Sequence, residues 1–184
     1  MKRFVGFAGR VTVAHVVTYI AVGALAYPLL TREFFEGSAG LAAQVMRTPA
    51  EPALWAHVTR WMLPFQVLRG VLIALVLYPF LGTITGWSYT KRLAGIAGLY
   101  IVLGQWASTV AGSGTIEGWL ILRPEFTSPN VVVKAMGEGL VQGLALSAWV
   151  ARWVMSLPGA KAELPASAGA GGATTRCSAG QAIG

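Results

Sequence analysis

The chain has 184 residues, of which 55% are hydrophobic and only 11% charged, at a mean hydropathy of +0.61, whereas soluble domains carry roughly 25% charged residues. That composition excludes an ordinary soluble core, and it fits a chain whose seven Trp, five Tyr and seven Phe serve two membrane interfaces. The net charge of +7 is spread along the connecting segments, which points to membrane topology and away from nucleic acid; the absence of aspartate and a single cysteine, Cys177, exclude an intramolecular disulfide and remove most hydrolytic and metal-dependent chemistry.

Lys2, Arg3 and Arg10 lead into an apolar run over residues 11–30, about the 20 residues that a transmembrane helix needs. An Ala-x-Ala at Ala24–Leu25–Ala26 offers a signal-peptide reading, but the length of the run and its His15 and Tyr19 favour an uncleaved first span. Arg32, Glu33, Glu36, Arg47 and Glu51 then interrupt any span. Within that loop Ser38 is expected to cap a short outer helix ending near Arg47, with Leu41, Val45 and Met46 on its apolar side. Pro52 suits the first turn of the next helix, which runs into a second span over residues 62–83. Pro64 predicts a kink there.

A short connection over residues 82–92 makes the third span, residues 93–112, an antiparallel neighbour of the second. The loop that follows places Trp119 at the interface, and a fourth span covers residues 131–157. Residues 158–184 are rich in Ala, Gly and Ser with almost nothing large to bury, so a disordered tail is expected after a membrane domain over residues 1–157. No internal repeat joins the two halves.

Four spans alternate the loops between two sides. Lys2, Arg3, Arg10, Lys91, Arg92, Arg152, Lys161 and Arg176 fall on the side of the termini, against Arg32, Arg47, Arg60 and Arg123 on the other. The positive-inside rule therefore places both termini in the cytoplasm.

Depth follows from the rise of ~1.5 Å per helical residue. Arg69, Gln105 and Glu138 each come out about 10–12 Å below the outer boundary, and Lys134 roughly 6 Å below it. An intramembrane charge needs a partner, so an Arg69–Glu138 pair with Gln105 beside it is expected. Lys134, Glu138 and Gln142 form one helical stripe; Gly139 and Gly143 make a G-x-x-x-G beside it, a face for close helix packing in the bundle or in a dimer. Gln66, Ser108 and Thr109 lie at the same outer level. The cluster reads equally as a structural lock or as a binding or conduction site.

His15 is placed one turn inside the first span near the cytoplasm and His57 outside, so they do not share a metal or haem. A single-ligand pigment or haem site at His15 is the alternative to a hydrogen-bonded packing histidine. No H-E-x-x-H, G-x-S-x-G or phosphate loop occurs, and neither a cofactor nor a metal site is expected.

The segments LPFQVLRGVLIALVLYP and GSGTIEGWLIL resemble those of small bacterial inner-membrane proteins with several spans. The resemblance runs from the second span to the fourth; it implies a multi-pass inner-membrane location and nothing about substrate. The expectation is an all-α integral membrane bundle of four transmembrane helices, with cytoplasmic ends and an outer loop helix between spans one and two. Its expected role is that of a non-enzymatic assembly or accessory component surrounded by the lipid bilayer, as a homo-oligomer or part of a larger membrane complex. The alternative is a small oligomeric transporter or channel using Arg69 and Glu138.

Overall fold

The computed structural model describes residues 2–36, 44, 46–109 and 112–154. Most of the outer loop helix expected before Arg47 and the whole tail over residues 158–184 lie outside the described residues. Among the described residues every regular element is helical, the arrangement in which an apolar chain satisfies its backbone polar groups within each segment.

Helix α1 spans Lys2–Phe35, longer at both ends than the apolar run. It is α-helical to Ala26 and then makes a π turn over Tyr27–Thr31. Pro28 explains that turn: proline has no N–H and crowds the carbonyl four residues back. The widened turn absorbs this, with the Arg32 N–H reaching back to the Tyr27 carbonyl. Helix α2 spans Pro52–Gly86, with Pro52 in its first turn and Pro64 inside it without ending it. A tight turn at Trp87–Ser88 follows. Ser88 accepts a hydrogen bond from the Lys91 N–H as a cap, Arg92 Nη2 donates to the Thr85 carbonyl at 2.7 Å, and the Trp87 ring lies over Gly95.

Helix α3 covers residues 89–106, α-helical over Tyr89–Ala97 and π-helical over Gly98–Trp106. Two short helices, α4 (Ile116–Ile121) and α5 (Pro124–Thr127), occupy the loop expected to place Trp119 at the interface. Thr115 caps α4 by accepting from the Gly118 N–H at 2.9 Å. Ile116, Trp119, Leu120 and Ile121 are all exposed, an apolar patch suited to the membrane interface. Helix α6 spans Pro129–Trp153.

Three helices, α1, α2 and α6, are long and apolar enough to cross a membrane. The third span expected over residues 93–112 is shorter in the structure. Helix α3 begins earlier, so Lys91 and Arg92 fall in its first turns, and it ends at Trp106; its 18 residues come to about 27 Å even at the full α-helical rise.

The helices are arranged as an open ring. Helix α2 lies along α1, α1 lies on α6, and α6 lies on α3. The shared core is Phe7, Val11, Ala14, Ala74, Leu77, Leu146 and Val150. Contact between α6 and α3 depends on the two glycines: a Cβ on Gly139 would come within 2.0 Å of Gln105 Nε2, and one on Gly143 within 2.8 Å of Tyr100 Cδ1 and 2.9 Å of Ile101 Cγ1. Gly143→Ala is therefore expected to lower stability by about 1–2 kcal/mol. Gly139→Ala should lower it less, because a flexible amide end gives way more easily than Ile101 and a tyrosine ring; unfolding midpoints in mixed micelles provide the comparison.

Candidate functional site

Where α1 crosses α2, three observations fix the register. Phe4 meets Tyr78 edge-on with centroids 5.1 Å apart, a Cβ on Gly70 would stand 2.7 Å from the Thr12 backbone, and His15 Nε2 lies 3.1 Å from Gln66 Oε1. The pairs 4–78, 12–70 and 15–66 describe one antiparallel alignment. His15 is 0% exposed, with the Tyr19 ring 6.2 Å away.

This corrects the depths read from the sequence, which put His15 near the cytoplasm and Gln66 near the outer face. The two side chains share one level because α1 begins well before the apolar run and α2 runs well beyond it. With the proton on Nε2, His15 donates to Gln66 and leaves Nδ1 buried without a partner. Among the described residues no group of three or more His, Cys, Asp or Glu side chains stands close enough to hold a metal ion.

Arg69 immediately precedes Gly70, so it is turned about 100° away from the α1 contact. It lies in the gap of the open ring, between α2 and α3. There a cavity of about 290 Å³ is lined by Arg69, Ile73 and Val76 from α2, Tyr100 and Gln105 from α3, and Leu146 and Val150 from α6. The π-helical course of α3 supplies Tyr100, Gly104 and Gln105 to this wall. An extra residue per turn re-aims side chains, and such segments recur at functional sites.

Apart from Arg69, Tyr100 and Gln105, the side chains that line the cavity are aliphatic. Arg69 is exposed and lies within electrostatic reach of His15 and Tyr100. Gln105 turns its Nε2 towards Gly139 and keeps Oε1 buried without a partner.

Glu138 stands at the same level, one residue before Gly139, and is half-buried. Among the described residues no ion pair or hydrogen bond joins it to Arg69. The reason is rotation about the helix axis. Gly139 and Gly143 face α3, whereas Glu138 shares its stripe with Lys134 on the flank towards α1. Lys134 does not turn to Glu138; its ammonium pairs with Glu33 on the extension of α1 and sits 5.6 Å from the centroid of the Phe34 ring, a cation–π contact. Gln142 is buried, with Nε2 unpartnered.

The structure therefore brings Arg69 and Gln105 to one cavity, and Gln105 to Gly139. It brings Gln66 to His15 and Lys134 to Glu33, and it leaves Arg69 and Glu138 apart. An ionised side chain left unpaired inside hydrocarbon costs about 2.5–3.5 kcal/mol on insertion scales. The chain matches no family model, no curated protein and no solved structure.

Proposed function

We propose that this is a four-span protein of a bacterial inner membrane, with cytoplasmic ends, acting as a non-enzymatic assembly component whose cleft between α2 and α3 receives another transmembrane helix. One observation carries the reading: the cleft is walled by apolar side chains of α2, α3 and α6 and holds an arginine that has no ion-pair partner among the described residues. A gap of this kind presents apolar walls to a helix and a counter-charge to a carboxylate on it. Helix–helix association in lipid draws on such close packing and polar contacts. Helix α3 serves as the third span, completed by its flanking residues. A transport role for Arg69 with Glu138 requires the two on one path, and within the chain they do not meet.

The test begins from a Cys177→Ser chain carrying one new cysteine at a time, labelled in intact cells with a membrane-impermeant maleimide. Cysteines at His57 and Glu125 are expected to react from outside, and one at Ser88 only after permeabilisation. Labelling of Ser88→Cys in intact cells overturns the topology. In mild detergent the protein is expected to run above the 19.4 kDa of one chain; a strictly monomeric mass overturns the assembly reading.

A further inference from the structure

The identity of the helix entering the cleft follows from depth and charge, and the inference rests on the assembly reading just given. Arg69 stands midway along the 35 residues of α2. On the depth read from the sequence, a headgroup at the boundary of the hydrocarbon layer is about 10–12 Å from that level, so a membrane-spanning helix is the nearer source of a counter-charge. Among the described residues one carboxylate stands at this level, Glu138, tied to Arg69 through Gly139, Gln105 and the cavity that Gln105 shares with Arg69. Among the described residues Glu138 has no ion-pair partner. Its surroundings suit a helix contact: a Cβ on neighbouring Gly137 would meet nothing within 4 Å, and Val141, one turn on, is 56% exposed.

We infer that the cleft of one copy takes α6 of a second copy, with Glu138 of the second pairing to Arg69 of the first beside Gln105. The cleft and the Glu138 flank are different surfaces, so the contact is head-to-tail, and copies in one membrane form a ring where the rotation closes and an open row where it does not. Helices α2 and α6 run in the same direction across the bilayer on the four-span topology. Three residues beyond each charge, Leu72 of one copy therefore stands level with Val141 of the next; both are exposed.

The contact is tested by the mass of the full chain in mild detergent, with helical content by circular dichroism as the control for folding. Arg69→Leu and Glu138→Leu, each alone, are expected to weaken self-association by roughly tenfold or more. Co-expressed under different tags, the two variants still hold one intact surface each. They are expected to form a mixed dimer and go no further. Arg69→Glu combined with Glu138→Arg in one chain should restore the wild-type assembly.

In a Cys177→Ser background, Leu72→Cys with Val141→Cys is expected to give a disulfide ladder of dimers and higher species under oxidation. A wild-type mass retained by both leucine variants overturns the inference while leaving the assembly reading intact, and so does a disulfide confined to the monomer band. A monomeric wild-type protein removes both.

Discussion

Gly70→Leu is expected to give the largest loss of stability of any single substitution in the transmembrane region. A Cβ at this position would lie 2.7 Å from the Thr12 Cα and 3.1 Å from the Thr12 Cβ. Backbone cannot rotate aside as a side-chain end does, so α1 and α2 have to separate. This crossing is the longest contact in the bundle, and it sets the hydrogen bond between His15 and Gln66 one turn away. Overpacking typically costs about 1–3 kcal/mol, and a clash with backbone belongs at the upper end or beyond. Gly70→Ala is expected to show a smaller loss of the same sign. Gly23→Ala is the control, since a Cβ there meets nothing within 4 Å, and it should unfold like the parent. The measurement is the midpoint of unfolding by denaturing detergent in mixed micelles. An unchanged midpoint for Gly70→Leu would show that the crossing is not where the bundle is held.

The two helices at that crossing also show what the sequence reveals and what it hides. Apolar run length marks α1, α2 and α6 because crossing hydrocarbon demands it, and the G-x-x-x-G of α6 marks the face that meets α3, because a missing side chain is visible in the sequence. Level along the membrane is partly legible too: Arg69 and Gln105 line one cavity.

Rotation about the axis is not legible from depth. Arg69 is a single residue away from Gly70, yet Gly70 meets α1 and Arg69 faces the cleft. Glu138 is likewise a single residue away from Gly139 but does not face α3. Helix ends are hidden for another reason, since α1 and α2 continue past the hydrocarbon on caps, π turns and prolines that hydropathy does not register. The pairing of Lys134 with Glu33 depends on that overshoot. A signal for the burial of His15 did exist in the spacing of Phe7, Val11, Ala14, His15 and Thr18, one stripe that the structure buries throughout. Gln66 and Gly70, four residues apart, make the complementary stripe on α2.

That stripe gives the second large effect, in which one substitution destabilises and a second recovers part of the loss. His15→Ala removes a fully buried side chain and its bond to Gln66, opening a cavity at the crossing. Truncations of this size cost about 2–5 kcal/mol. His15→Leu keeps most of the volume and isolates the polar loss, since Gln66 Oε1 is then left without its donor. An unsatisfied buried polar group costs about 1–3 kcal/mol, although interhelical hydrogen bonds within membranes average nearer 0.6 kcal/mol in double-mutant cycles. The lower figure governs here, because Gln66 is only half-buried and its flexible amide can turn to another partner. His15→Leu is therefore expected to lose about 1 kcal/mol, less than His15→Ala. Adding Gln66→Leu to His15→Leu should recover part of that loss, since neither partner is then left with an unmet hydrogen bond. The coupling read from the four proteins of the cycle is expected at roughly 0.6–1.7 kcal/mol. A coupling of zero would mean that the 3.1 Å contact contributes shape alone, and that the burial of His15 is held by packing against α2 with no contribution from the hydrogen bond.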